Sequence, residues 1–281
     1  MTAWKFKICD VFTEVALAGN QLAVFPDAAR IPEKMLQKLA RETNFSETVF
    51  CYAPKKGGDA RVRIFTPGNE LPFAGHPILG TATVLGLLRR RTSIVLECGR
   101  GNVPVTLSLG KNRARGWMVQ PLPQVKRFPQ AAALCRALGV KRSVLPVEIY
   151  DNGIQHVYVM VATEAEVAAL RPDAARLARV APSIGVNCFA GRGKHYKTRM
   201  FAADMGVAED PATGSAAGPL CAHLVRHGLI ASGTQIEIRQ GAEIGRPSLL
   251  LARVTATRER IERQEVGGSA IVVGEGSFDI S

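Results

Sequence analysis

Two similar stretches decide the fold of this chain: ELPFAGH at residues 70–76 and EDPATGS at residues 209–215. Both have the pattern E-x-P-x-x-G-[HS], and both follow an Arg-x-Phe tripeptide, at residues 63–65 and 199–201. The second copy has three extra residues between the Arg and the Glu. This agreement in residue type and order indicates that the chain consists of two homologous halves.

The sequence around each copy predicts the same order of elements. An apolar stretch with helical spacing follows each copy and predicts a helix, at residues 78–88 with Pro77 in its first turn and at residues 218–227. Short apolar or alternating runs, separated by Gly, Pro and Asn, predict strands. They lie at residues 5–12, 22–25, 47–52, 61–65, 94–97 and 103–109, and at 147–150, 156–161, 185–190, 197–201, 235–239 and 248–255. We predict a first domain over residues 1–118, joined by a C-terminal strand at 268–281, and a second domain over residues 119–267.

The composition excludes several classes of protein. With 36 Lys and Arg against 24 Asp and Glu, the net charge is +12, and 47% of the residues are hydrophobic, which excludes a disordered chain. The sequence has neither an apolar run long enough to span a bilayer nor a signal core after its first residues, so we expect a cytoplasmic protein that does not enter membranes. Arginines scattered among few aromatics match no nucleic-acid module. The six widely spaced cysteines indicate reduced, mostly buried thiols.

The repeated loop has the features of an anion site. A glycine loop that opens a helix leaves the first backbone N–H groups without partners, and the helix dipole favours an anion there. Two such loops would form a clamp, with Gly75 and His76 facing Gly214 and Ser215 across a cleft between the domains. The alternative is that the glycines only permit tight turns and that Ser215 only caps a helix.

Three side chains are candidates for the chemistry. Glu47 lies at a predicted strand start among apolar and hydroxyl residues, where desolvation would raise the pKa of its carboxyl group and suit it to general acid and base catalysis. An edge-strand glutamate that points into water is the alternative. His76 could equally be a structural or capping histidine, and Asp210 could simply accept loop N–H groups. We assign the other histidines to structure or to the surface: His156, His195, His223 and His227.

No cofactor or metal is expected. The sequence lacks a dinucleotide-binding glycine fingerprint and a P-loop, and it has no His, Cys and Asp cluster at metal-ligand spacing.

Several blocks of sequence resemble the phenazine-biosynthesis-like (PhzF-like) family. They are DVF at residues 10–12, AGNQLAV at 18–24, NFSETVF at 44–50, RIFTP at 63–67, ELPFAGHP at 70–77, EDPATGSA at 209–216 and QG at 240–241. The resemblance implies an α/β (α+β) fold of the diaminopimelate-epimerase type. In that fold, two pseudosymmetric domains each wrap a curled, mostly antiparallel sheet around a central helix.

The same resemblance implies a function. The phenazine member of the family is a cofactor-independent isomerase of a dihydro-hydroxyanthranilate, and the glutamate that matches Glu47 carries a proton from one ring carbon to another. By the same match, His76 and Asp210 would contact polar groups of the substrate, and Gly214 and Ser215 would hold its carboxylate. The remaining substrate-binding positions implied by the family motifs are Asn20, Ser46 and Gly75. We expect a small carboxylate-bearing substrate and a homodimer.

Two other functions stay open from the sequence. Epimerases and racemases of the broader superfamily carry one catalytic Cys in each loop, whereas this chain has Ala74 and Thr213, neither of which is an adequate base. An epimerase would therefore need Glu47 and a second base, for which His76 is a candidate. A protein that binds small anions without catalysis is the other alternative.

Overall fold

The computed structural model describes residues 3–280, and these form two compact units. The first unit contains residues up to Val119 and again from Gly267 onward, and the second contains Gln120–Val266. Met1, Thr2 and Ser281, which fall in the predicted first domain, lie outside the described residues. Among the described residues, no helix has the length and apolar character needed to cross a membrane.

The first unit is a ring of strands around one helix. The ring runs β1–β2–β3–β4–β6–β7–β8–β17 and back to β1; β2 with β3 and β4 with β6 are parallel pairs. Helix α2 is buried over its first twelve residues and contacts β1, β2, β3, β6, β7 and β8. A helix that is apolar on all sides is stable only inside a core, which is where α2 lies. Strand bounds are β1 Ala3–Val11, β2 Asn20–Phe25, β3 Glu47–Tyr52, β4 Ala60–Phe65, β5 Glu70–Leu71, β6 Ser93–Cys98, β7 Gly101–Leu109, β8 Arg113–Val119 and β17 Ile261–Asp279; the helices are α1 Glu33–Thr43 and α2 Gly75–Arg89.

The second unit repeats this pairing order. The pairs alternate between antiparallel and parallel as they do from β1 to β7: β10–β11 antiparallel, β11–β12 parallel, β12–β13 antiparallel, β13–β15 parallel and β15–β16 antiparallel. Strand β9 pairs with β10. Its central helix, α6, contacts β11 and β16. Strand bounds are β9 Gln124–Arg127, β10 Glu148–Asp151, β11 Gln155–Met160, β12 Gly185–Arg192, β13 His195–Ala202, β14 Val207–Asp210, β15 Gln235–Gln240 and β16 Ser248–Ala256; the helices are α3 Ala131–Leu138, α4 Glu164–Ala168, α5 Ala174–Val180 and α6 Gly214–Arg226.

The repeat is visible as matching contacts inside each unit. Arg63 donates two hydrogen bonds to the carboxylate of Glu70, at 2.7 and 2.6 Å. Arg199 donates the same pair of bonds to Glu209, at 2.8 and 2.7 Å. Both pairs join the Arg-x-Phe strand to the Glu of E-x-P-x-x-G, so the repeated residues hold the same loop in the same way.

The glycine turns after each loop also correspond. A Cβ atom on Gly99 would lie 2.9 Å from the Cα of Pro72, and one on Gly241 would lie 3.0 Å from the Cα of Pro211. Each glycine therefore lets its turn pack against the proline of the loop in its own unit. This contact explains why the glycine turn recurs at the same place in both halves.

The two central helices begin earlier than the sequence predicts. They start at Gly75 and Gly214, three and four residues before the predicted starts, and α6 continues through Pro219. Proline lacks the N–H that would bond the carbonyl of Ser215, and Asn152 Nδ2 donates to that carbonyl instead, at 2.9 Å. The neighbouring carbonyls of the same turn accept from Gln120 and Tyr158, both at 2.8 Å. A pattern of apolar residues carries no trace of these partners.

All six cysteines are free and five are buried, as predicted. Burial raises the pKa of the Cys51 thiol to about 12.

Candidate active site

Glu47 and His76 meet in the first unit. The parallel pairing of β2 with β3 places Leu22 opposite Glu47, so Asn20 and Glu47 both lie where their strands begin. Glu47 Oε2 lies 3.1 Å from Nε2 of His76, and the two side chains are 14% and 4% exposed. Asn20 Nδ2 lies 3.1 Å from the other ring nitrogen of His76. Ser46, partly buried, directly precedes Glu47. The structure therefore brings four of the predicted site residues together, where β2 and β3 begin and beside the start of α2.

Burial keeps the imidazole of His76 neutral. Desolvation lowers the pKa of His76 to about 3, against the opposing effect of a hydrogen bond with the backbone of Gln21. A group whose conjugate acid is this strong is a poor base at neutral pH. His76 is thus suited to hydrogen bonding and not to removing a proton from carbon, which argues against an epimerase that uses it as the second base.

The start of α2 offers two backbone donors. Its first residues are Gly75 and His76, and Pro77 has no N–H to offer. The preceding residue, Ala74, is extended and makes no side-chain cap. Uncapped N–H groups at a helix start favour an anion. The anion site itself stays a prediction for this loop.

In the second unit, Gln240 holds the matching loop. Its Nε2 donates to the carbonyl of Asp210 at 2.7 Å and to Oγ1 of Thr213 at 2.9 Å, and its Oε1 accepts from the N–H of Thr213 at 3.2 Å. Thr213 in turn donates its hydroxyl proton to the buried carboxylate of Asp210, at 2.6 Å. Asp210 therefore holds the hydroxyl proton of Thr213, and the neutral alcohol that results is too weak a base to remove a proton from carbon.

Ser215 contacts a residue that the sequence analysis assigned to structure or to the surface. Helix α6 begins at Gly214, and the Oγ of Ser215 lies 2.9 Å from Nε2 of His156, which is 1% exposed. Neither His156 nor Gln240 was predicted as a site residue. The one local signal for His156 is Gly185 at the start of the neighbouring strand, because glycine in a strand often marks a close approach.

Glu148, His223 and His227 form a cluster that spacing along the chain did not predict. The ligand atoms lie within 4.8 Å of one another, close enough for a metal ion. Oε2 of Glu148, however, also lies 3.1 Å from the hydroxyl of Tyr150 and 3.4 Å from Nη1 of Arg226. The positive charge of Arg226 opposes a cation and already neutralises Glu148, so these residues form a hydrogen-bonded hub between β10 and α6.

Comparison with known proteins extends these findings. Residues 9–276 match the family described as Phenazine biosynthesis-like protein. The trans-2,3-dihydro-3-hydroxyanthranilate isomerase of Pseudomonas aeruginosa is 46% identical over 273 residues, which cover 97% of this chain and 98% of that protein.

Solved structures share the fold. A phenazine biosynthesis protein of the PhzF family from Bacillus anthracis superposes with a TM-score of 0.86 at 25% identity, and the match covers 100% of both chains. A probable proline racemase from Agrobacterium radiobacter shares the fold alone, with a TM-score of 0.68 at 15% identity over 100% of this chain and 94% of that one. The predicted fold class, α+β of the diaminopimelate-epimerase type, is confirmed.

Proposed function

Because this chain belongs to the phenazine biosynthesis-like (PhzF-like) family and is an isomerase, we propose that it moves a proton between two carbons of a small carboxylate-bearing substrate. In this proposal Glu47 is the general acid and base. The observation that carries it is the contact of Glu47 with a neutral, buried His76 at 3.1 Å, at the place where the family motifs meet.

The substrate we propose follows from the relatives. The Pseudomonas aeruginosa relative is named for trans-2,3-dihydro-3-hydroxyanthranilate, a ring that bears a carboxylate, an amino group and a hydroxyl group. We infer that this chain acts on the same compound or on a close analogue. Gly214 and Ser215 would bind the carboxylate, and Asn20, Ser46, Gly75, His76 and Asp210 would bind the other polar groups.

The proposed reaction is balanced without a co-reactant. The carboxylate of Glu47 removes a proton from one carbon of the substrate. The carboxyl group exchanges its proton with solvent and then donates a proton to another carbon as the double bonds shift. N–H groups at the helix starts stabilise the negative charge that develops while the proton is on Glu47. One carboxylate suffices for both steps, because each step regenerates what the other consumes.

A single-base isomerase agrees better with the loops than an epimerase does. An epimerase removes a proton from one face of a carbon and delivers one to the other face, which requires two acid-base groups. None of the three candidates for a second base fits. Ala74 has no proton to exchange, the hydroxyl of Thr213 is hydrogen-bonded to Asp210, and burial makes His76 a weak base.

Substitution of Glu47 tests the proposal. We expect Glu47→Gln to lower turnover by about 10² to 10⁴ while binding persists, because an amide keeps the shape but cannot accept the proton. The assay follows conversion of trans-2,3-dihydro-3-hydroxyanthranilate in deuterium oxide, where the wild type labels carbon. Glu42→Gln, a change at an exposed glutamate of α1, is the matched control. Turnover by Glu47→Gln above about a tenth of wild type would exclude this role.

Removal of metal ions tests the proposed cofactor independence. Because proton transfer by a carboxylate requires no metal, protein treated with a chelator and dialysed should keep full turnover of the same substrate. A loss of turnover that one added divalent ion restores would contradict a mechanism based on Glu47 alone.

A further inference from the structure

We propose that His156 is a positioning residue that holds the hydroxyl of Ser215 as a hydrogen-bond donor toward the substrate carboxylate. The inference rests on the carboxylate-binding role proposed for Ser215. In this proposal the buried side chain of His156 sets the direction in which the hydroxyl proton of Ser215 points.

The contact is built into the sheet of the second unit. His156 lies on β11, and parallel pairing places it opposite Gly185, the first residue of β12. Its Nε2 lies 2.9 Å from the Oγ of Ser215, and both side chains are buried. A Cβ atom on Gly185 would lie 2.6 Å from Nδ1 of His156, so glycine is required for the imidazole to fit.

Asn187 selects the tautomer of His156. Its Nδ2 faces the carbonyl oxygens of Gly185 and Val157, at 3.1 and 3.4 Å, and also Nδ1 of His156, at 3.4 Å. The two carbonyls fix the orientation of the amide, because a flipped amide would point its oxygen at two acceptors. A proton on Nδ1 of His156 would be directed at this donor group, 3.4 Å away, so the single proton of the neutral ring is on Nε2.

The consequence falls on Ser215. Burial lowers the pKa of His156 to about 3, so the ring stays neutral and carries one N–H. That N–H donates to the Oγ of Ser215. A hydroxyl has one proton, and since Oγ already accepts from His156, the proton is free to point at another acceptor. With the N–H groups of Gly214 and Ser215, it presents several donors to a carboxylate.

The internal repeat places Gly185 at the position that Glu47 occupies in the first unit, and His156 makes the contact that Glu47 makes there. In the paired strands, Phe65 and Phe201 occupy the same place in Arg-x-Phe, and the residues just before their partners are Glu47 and Gly185. Glu47 contacts the residue after the loop glycine in the first unit, and His156 contacts it in the second, through space that Gly185 leaves open. One half thus keeps a carboxylate for proton transfer, and the other has a neutral donor that serves binding.

The tautomer can be measured directly. Long-range ¹H–¹⁵N spectra of the full chain, with His156 assigned by comparison with His156→Gln, should show the proton on Nε2 and a ring that stays neutral from pH 8 to pH 5. A proton on Nδ1, or a doubly protonated ring in that range, would overturn the proposal.

Binding provides the second test, with 3-hydroxyanthranilate as the probe and its carboxamide as the comparison. Met and Gln have similar shapes, but only Gln carries a donor near the position of Nε2. We expect His156→Met to raise the Kd for the acid about tenfold and His156→Gln to raise it less than about threefold, with little change for the carboxamide.

A control separates this effect from a loosened helix start. Tyr158→Phe removes the neighbouring bond to the carbonyl of Ala216, at 2.8 Å, and leaves Ser215 untouched, so the Kd for the acid should change less than about threefold. Equal effects of Tyr158→Phe and His156→Met, equal effects on acid and carboxamide, or a wild type that does not bind the acid would each overturn the proposal. None of these measurements needs turnover, so a failure of the role of Glu47 would be seen separately.

Discussion

Glu148 illustrates how one residue collects several donors. Burial alone would raise the pKa of its carboxyl group, but hydrogen bonds from His223 and His227 and the charge of Arg226 outweigh it and lower the pKa to about 2. Through these contacts the carboxylate joins β10 to His223 in the last turn of α6 and to His227 directly after the helix. Its folded-state pKa lies below the ordinary value, so the charged form stabilises the native state.

The pH dependence of stability follows from that shift. We expect Glu148→Gln to lower the free energy of unfolding by about 1 to 2 kcal/mol above pH 5, a value reduced for solvent screening because the side chain is partly exposed. The difference from wild type should shrink as the pH falls from about 4.5 towards 2, where the wild-type carboxylate is protonated. Urea unfolding at several pH values measures it. Glu262→Gln, at an exposed position, should show no such trend.

At the scale of single residues, the loop positions could be predicted and the residues behind them could not. The glycines and the polar residue after each were predicted from the repeat, since their signal is contiguous in sequence. His156 reaches Ser215, 59 positions away, only through the register of β11 and β12 and the space over Gly185. A sequence without its strand pairing contains no information on that contact.

At the scale of elements, the strand predictions agree closely with the structure, and the helix starts do not. Predicted β3 has the observed bounds, Glu47–Tyr52, because apolar runs between turn residues identify strands well. Strand β8, which completes the ring, was missed, since its residues alternate with arginine and glycine. The earlier start of α6 is supported by Asn152, which directly follows β10 and is far from α6 in sequence, so no local pattern encodes it.

The two Arg–Glu pairs of the repeat allow a matched comparison. Arg199 and Glu209 are 7% and 10% exposed, whereas Arg63 and Glu70 are 21% and 41% exposed. Breaking a buried pair costs about 3 to 5 kcal/mol because a charge is left without compensation, whereas an exposed pair contributes about 0 to 1 kcal/mol. Arg199 also donates to the carbonyls of Ala168 and Leu170.

We therefore expect Glu209→Gln to lower the free energy of unfolding by about 3 kcal/mol and Glu70→Gln by less than about 1 kcal/mol. Urea unfolding of the two variants beside the wild type measures both values. Equal losses would show that burial does not govern the strength of these pairs. Arg63 also keeps a second carboxylate partner, Glu33, at 2.6 Å, so the comparison tests exposure together with this compensation.

At the scale of the whole molecule, the repeat explains why so much of the fold was accessible from sequence. The Arg–Glu pair, the glycine turn and the helix-opening loop each occur in both halves. A motif found in one half can therefore be compared with its copy in the other, which makes a chance match easier to recognise. The predicted clamp between Gly75 and Gly214, and the homodimer, stay predictions. Glu47 and Gly185 occupy corresponding positions in the two halves but are different residues. The repeat therefore does not predict the chemistry at these positions.

The net charge of +12 is a property of the entire chain, and its role can be tested through ionic strength. Exposed positive charges attract an anion over a Debye length of about 8 to 10 Å near physiological salt, and added salt screens them. We expect kcat/KM for trans-2,3-dihydro-3-hydroxyanthranilate to fall when ionic strength is raised severalfold. The Kd of the uncharged carboxamide of 3-hydroxyanthranilate is the control and should stay constant. If kcat/KM is unchanged, the charge does not serve substrate capture, and the donors at the helix starts must attract the carboxylate at short range alone.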